Sequence, residues 1–304
     1  MKRRKFIKSA IFASGALTIP FAGRSTEAGK SASAISATEI IFKKSIMWGT
    51  IGMEGSILDK CKAVKAAGYD GVEPNSHLNR AEMLDAINST GLRASSVCCS
   101  THWQKPLSSP DLNIRKEGID GIRTALEDAK TYGTDTVLVV PGTVNQDVPY
   151  DECWERSTEC LKKLLPIAQK LNVRIGIENV WNNFLLSPME ACRYIDQFNS
   201  PQIGFYFDCG NILVYGLPEQ WIRILGKRIL RIHVKEFSRS KADAEGRWKG
   251  FNVALTEGEV NWTEVMSESR KSYRGQWFTT EQGNSKTQDE LSDLCRRLDN
   301  ILKM

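Results

Sequence analysis

Three histidines stand in 304 residues, His77, His102 and His233, each at or just beyond the end of a short apolar run. Four carboxylates, Glu73, Glu178, Asp208 and Glu281, close runs of the same kind. A charge at the end of a buried segment is costly unless it is paired or binds a metal. Glu178, Asp208, His233 and Glu281 together offer three carboxylates and one imidazole. That donor set suits one divalent ion, manganese, magnesium or cobalt ahead of zinc, with positions left for a substrate. Such an ion would polarise a ketone and make the neighbouring proton removable through an enediolate. Glu178 and Glu281, on opposite sides of that carbon, would take and return the proton. Each residue taken singly also fits a salt-bridged ring or a core histidine, whereas the set of four favours a metal.

Such a set needs a scaffold that brings distant segments to one place. Short β-rich runs occur at Ser45–Trp48, Gly71–Glu73, Ala94–Cys98, Thr136–Val140, Arg174–Glu178, Ile203–Asp208, Ile229–Lys235 and Gln276–Glu281. Helical patterns lie between them, as in the i, i+3/i+4 spacing of Ile57, Leu58, Cys61 and Val64 and of Leu161, Leu164, Leu165 and Ala168. Asn79 to Glu82 and Ser187 to Glu190 have the shape of capping boxes, and Gly68, Gly91 and Gly133 stand where helices should stop. Eight such units in strict order predict a single (β/α)8 TIM barrel over residues 41–304. A doubly wound sheet is second, since no G-x-G-x-x-G follows the first run. Barrel active sites form at the C-terminal ends of strands. There the order of the chain places Trp48, Glu73, His102, Trp103, Trp181, Asn211 and Lys235 as candidate substrate contacts around the four ligands. Trp48, Trp103, Trp181 and Trp248 would stack on sugar rings or pack the rim. The basic loop from Arg239 to Lys249 would hold an anion, act as a lid, or be an ordinary solvated loop.

The formal charge of +5 comes from residues 1–34, where seven Lys and Arg face Glu27 alone; the remainder is slightly acidic, at −1. Arg3-Arg4, the apolar stretch Ser9 to Ala22 and the small-residue run ending in Ala32-Ser33-Ala34 resemble a twin-arginine signal peptide. Periplasmic export through the twin-arginine machinery is expected, with no stable membrane insertion. Nucleic-acid partners are not expected of a near-neutral mature chain. The eight cysteines show no C-x-x-C pattern, and Cys61, Cys160, Cys192 and Cys295 read as buried thiols on helices.

The strings Ile177-Glu178-Asn179-Val180-Trp181, Tyr206-Phe207-Asp208-Cys209-Gly210-Asn211, Ile232-His233-Val234-Lys235-Glu236 and Glu257-Gly258-Glu259-Val260-Asn261-Trp262 resemble the sugar phosphate isomerase/epimerase superfamily of xylose-isomerase-like barrels. The chain is most similar to its exported hydroxypyruvate-isomerase-like branch. The resemblance puts Glu178, Asp208, His233 and Glu281 on metal-ligand positions and Glu178 and Glu281 on the proton-transfer pair. It puts Arg239 where ketose epimerases place a substrate-binding arginine. It departs at Asn211, where those epimerases carry a histidine, and at Phe184, where they carry a glutamate. It implies a sugar or small keto-acid substrate, and barrels of this type are often homo-oligomers. An isomerase or epimerase is the first reading, a lyase acting on an oxidised sugar the second, and a non-catalytic sugar-binding barrel the third.

Overall fold

Alternate apolar residues dictate how the strands sit, because a parallel strand covered by helices must be apolar on its outer face. In the computed structural model, which describes residues 41–304, Ile175 and Ile177 and then Phe205 and Phe207 join the large core beneath the helices. Tyr206, between the two phenylalanines, instead faces a small inner cluster with Cys98 and Leu138. The expected export signal at residues 1–34 lies outside the described residues.

The strands are β1 (Lys43–Met47), β2 (Gly71–Glu73), β3 (Arg93–Ala94), β4 (Val97–Cys98), β5 (Thr136–Val139), β6 (Arg174–Glu178), β7 (Ile203–Asp208), β8 (Ile229–Val234) and β9 (Trp277–Thr280). They form one sheet in the order β3-β2-β1-β9-β8-β7-β6-β5-β4, with parallel pairing throughout. The third expected strand is split: β3 pairs with β2, β4 pairs with β5, and Ser95-Ser96 joins them. The split has a cause, since the Ser95 carbonyl accepts from Thr134 Oγ1 at 2.9 Å and from Arg231 Nε at 2.7 Å. Side chains thus take an acceptor that the strand ladder would use, and the covalent link closes the ring. The result is a TIM barrel.

Ten helices surround the described barrel: α1 (Ile57–Ala66), α2 (Arg80–Thr90), α3 (Leu112–Tyr132), α4 (Tyr150–Leu171), α5 (Pro188–Asp196), α6 (Cys209–Leu213), α7 (Pro218–Leu225), α8 (Arg239–Glu245), α9 (Trp262–Ser272) and α10 (Gln288–Leu302). Asn79 and Ser187 cap α2 and α5, accepting from the Glu82 and Glu190 amides. The Glu190 carboxylate does not complete a box; it accepts from Tyr150 Oη and the Leu186 amide. Reciprocal boxes form instead at Ser56 with Asp59 and Thr287 with Glu290. Gly91 and Gly133 end α2 and α3 at φ of 65° and 73°, a left-handed geometry that glycine adopts without strain.

All eight cysteines are free; Cys61, Cys160 and Cys295 are buried as expected, whereas Cys192 is partly exposed. No helix among the described residues is long and apolar enough to cross a membrane.

Candidate active site

Parallel register carries the charged ends of four strands to one level. Glu178 ends β6, Asp208 ends β7 and pairs with His233 on β8, and Glu281 follows β9. One ligand atom from each lies within 4.8 Å of all the others. His233 Nδ1 is 3.0 Å from Glu178 Oε1, 3.3 Å from Glu281 Oε2 and 4.0 Å from Asp208 Oδ2.

The other imidazole nitrogen decides which way the ring works. His233 Nε2 lies 2.7 Å from Glu73 Oε2, and the second Glu73 oxygen accepts from Ser96 Oγ and Tyr206 Oη, each at 2.7 Å. Glu73 is fully buried among these donors, so it holds the proton on Nε2 and leaves Nδ1 facing the three carboxylates. Asp208 is positioned just as firmly. Its backbone amide donates to Asn179 Oδ1 at 2.9 Å, and its Oδ1 accepts the Asn211 amide at 2.6 Å as the cap of α6. Its Oδ2 is buried with no hydrogen-bond partner among the described residues. A lone carboxylate oxygen without a donor, aimed with two further carboxylates at one imidazole, is the surrounding a divalent cation relieves.

The electrostatics follow from this crowding. Burial pushes the Glu178 and Asp208 carboxyls up, and their acidic neighbours add to it. Burial would do the same to Glu281, but Lys235 and His233 override it and hold that carboxyl well below the usual range. Lys235 Nζ donates to Glu281 Oε2 at 3.2 Å. Burial disfavours the charged form of His233, yet Tyr206, Glu73, Glu178 and Glu281 outweigh it and raise its pKa well above the ordinary value. In the metal-free chain the two glutamates are therefore driven in opposite directions.

Above the cluster opens a cavity of about 850 Å³. Its lining includes Glu178, His233 and Glu281 and, of the other sequence-predicted residues, His102, Trp103, Trp181, Asn211 and Lys235. Three predicted contacts lie elsewhere. Trp48 packs against the core with Lys60 over its ring, Glu73 is sealed beneath His233, and Arg239 donates to the carbonyls of Leu213 and Gly216 at 2.6 and 2.8 Å. At the departure from the ketose-epimerase pattern, Phe184 is buried in an aromatic cluster with Tyr150, Trp154 and Tyr194, away from the cavity.

Other lining residues had not been singled out from sequence: Met47, Cys98, Leu138, Phe251, Asn252 and Asn284. Asn284 was findable, because it lies three residues past the Glu281 that ends the last strand. Phe251 and Asn252 belong to the long loop after β8, whose course depends on tertiary ties. Glu236 accepts from the amides of Thr256 and Val260 and from Trp262 Nε1, while Gln282 Nε2 donates to the carbonyls of Phe251 and Val253.

Comparison with known proteins agrees with the architecture. A family model described as a xylose isomerase-like TIM barrel matches residues 61–301. Among curated relatives, the L-ribulose-5-phosphate 3-epimerase UlaE of Escherichia coli O1:K1 / APEC is 24% identical over 256 residues, covering 80% of this chain and 87% of the relative. Among solved structures, the D-psicose 3-epimerase of Clostridium cellulolyticum H10 superposes with a TM-score of 0.71 at 16% identity, covering 86% of this chain and 99% of the other. The 3-keto-D-glucoside 4-epimerase YcjR of E. coli gives 0.70 at 16% identity, covering 86% and 100%.

Proposed function

The chain belongs to the xylose isomerase-like TIM barrel family, and from that premise we propose that it is a divalent-metal-dependent isomerase or epimerase of a sugar or small hydroxy-keto acid. The observation that carries this reading is the convergence of Glu178, Asp208, His233 and Glu281 within 4.8 Å, with the Asp208 Oδ2 left unpartnered. The relatives and neighbours named as L-ribulose-5-phosphate 3-epimerase, D-psicose 3-epimerase and 3-keto-D-glucoside 4-epimerase add support, since all are epimerases of keto sugars.

Those four residues would hold the ion, manganese, magnesium or cobalt ahead of zinc by donor chemistry. When bound, it would supply Lewis-acid polarisation of a carbonyl oxygen. Proton transfer falls to the chain. Glu281, kept ionised beside Lys235, takes the proton next to the carbonyl, and the electron pair passes into an enediolate. Glu178, the other glutamate of the cluster, returns a proton. Lys235 fixes Glu281, and Glu73 fixes the His233 ring. The cavity walls Trp181 and Trp103 exclude water and pack against the substrate.

A lyase shares the first half of this reaction. Of the groups that would assist a leaving group there, Glu73 is sealed and exposed His77 bonds Ser76, so only Lys235 reaches the cavity, and isomerisation is the better-supported reading. Export to the periplasm by the twin-arginine machinery is part of the same proposal, resting on Arg3-Arg4 and the apolar stretch after them.

The test is solvent deuterium exchange into a ketose or keto acid by manganese-reconstituted protein. Glu281→Gln should abolish exchange and Glu178→Gln should abolish net turnover, both keeping the far-UV circular dichroism of the wild type. Full exchange in Glu281→Gln, or full turnover in Glu178→Gln, would remove the two-glutamate mechanism. Metal analysis beside His233→Ala should find one ion per chain in the wild type and none in the variant.

A further inference from the structure

The cavity is large, the one Lys or Arg that lines it is paired, and its mouth is aromatic. At about 850 Å³ it lies in the upper part of the range that encloses drug-sized ligands, more room than one sugar ring fills. Lys235 is the one Lys or Arg lining it among the described residues, and it is bonded to Glu281. Arg239 is spent on two backbone carbonyls, and the Arg247 guanidinium lies 4.4 Å over the Trp181 ring. His102 accepts the Val140 amide at Nδ1, and burial pushes its imidazole down to about 4, so it meets a ligand as a neutral N–H donor.

Barrels often bind phosphate where the loops after the last strands meet the N-terminus of a short extra helix. Here that place is α8, directly after β8, and the protein's own Glu259 fills it. The Glu259 carboxylate accepts the Ser240 amide at 2.8 Å, Ser240 Oγ at 2.8 Å and Ser238 Oγ at 3.1 Å. A phosphate dianion placed there would meet a carboxylate.

The mouth points to what binds instead. Trp103 is 50% exposed and Trp248 69% exposed, and both line the cavity. Trp248 rests 4.6 Å from Trp181 between ring centroids. Large aromatic surface left in water beside a cavity marks a binding surface, and aromatic faces pack on the C–H faces of sugar rings.

We propose that the substrate is an uncharged keto-glycoside, a ring ketone at the Glu178 and Glu281 end joined to a second ring that packs against Trp103 and Trp248, and not a phosphorylated monosaccharide. This rests on the proton-transfer reading above. Only a carbon–hydrogen bond beside the ketone breaks and re-forms, so no oxidant or other co-reactant is needed.

The test compares phenyl 3-keto-β-D-glucopyranoside, methyl 3-keto-β-D-glucopyranoside and L-ribulose 5-phosphate. Deuterium exchange by manganese-reconstituted protein and quenching of tryptophan fluorescence are both read. The phenyl glycoside should exchange with the highest kcat/KM and saturate the quenching. Trp103→Ala and Trp248→Ala should each raise its KM up to about tenfold, as expected for losing one stacking partner, and raise that of the methyl glycoside less. Preferred exchange into L-ribulose 5-phosphate would overturn the substrate class while keeping the proton-transfer reading. Saturable glycoside quenching without exchange into any of the three would support the substrate class and overturn the proton-transfer reading. Absence of both quenching and exchange with the glycosides would overturn the inference.

Discussion

Both ends of this barrel bury charge, and they treat it in opposite ways. At the N-terminal end Arg231, 5% exposed, donates from all three of its nitrogens: to the Ser95 carbonyl, to the Leu230 carbonyl and to Asp135, which Arg174 also pairs. At the C-terminal end Glu178, Asp208 and Glu281 crowd one imidazole, and the Asp208 Oδ2 has no partner among the described residues. Charge that is fully hydrogen-bonded maintains a structure, whereas charge held unsatisfied by its neighbours is held for a ligand. The two ends meet at the Ser95-Ser96 break, where Arg231 takes the Ser95 carbonyl and Ser96 donates to Glu73 beneath His233.

The largest effect that tests this contrast is Asp208→Asn. The amide keeps an oxygen for the Asn211 cap but removes the charge, so exchange should fall by about 10³-fold or more, the several kcal/mol of a lost Lewis acid. Chelated variant protein should nevertheless unfold no earlier than chelated wild type, because a buried unpaired charge has gone. A clear drop in unfolding temperature would make Asp208 a structural anchor and erase the difference between the ends.

Arg231→Met is the converse. Removing one partner of a buried ion pair costs about 3–5 kcal/mol, and at least half of that should be seen by denaturant unfolding because Asp135 is partly solvated. Metal content per folded chain should not change. Unaltered stability would show that the N-terminal end contributes little to holding the barrel.

Glu73→Gln probes a carboxylate at the C-terminal end that is fully hydrogen-bonded. Losing the acceptor that orients a ligating histidine weakens metal affinity by about 10–100-fold, which competition with a chelating dye would measure. Unchanged affinity would mean that packing alone orients His233.

How much of this was legible in the sequence divides along similar lines. The β/α alternation could be read because the outward faces of the strands, Ile175 and Ile177 for example, are apolar for local reasons. The cluster of Glu178, Asp208, His233 and Glu281 could be read because a charge closing an apolar run is a local anomaly. The split at Ser95-Ser96 could not, since its cause is Arg231, 136 residues away. Nor could the fate of Arg239 or Glu259: spacing brings each near the site, but which backbone groups claim its side chain is decided by how the loop after β8 folds back. Glu73 fell between, placed at the right level by its strand but seen as a substrate contact, because strand position gives no depth beneath a neighbouring ring.

The smallest effect is also the most discriminating, because it has opposite signs at the two ends. Burial works against ionised Asp135, but Arg231 and Arg174 override it and hold its carboxyl at about 2. Its folded pKa thus lies below the unfolded value of about 3.9, so its stabilisation is present above that value and is lost as pH falls toward about 2. Wild type should therefore be more stable than Asp135→Asn near pH 6, with the gap closing in acid; partial exposure of Asp135 keeps the gap small. Asp208 is shifted the other way, with burial raising its carboxyl well above the ordinary value. In chelated protein its ionised form destabilises the fold near neutral pH, and that penalty fades as acid protonates it. Chelated wild type should then be less stable than Asp208→Asn near pH 7, and this gap too should close in acid, from the opposite side. Urea unfolding of the three proteins between pH 3 and 7, the wild type with and without chelator, measures both gaps, and two gaps of the same sign would break the contrast between the ends of the barrel.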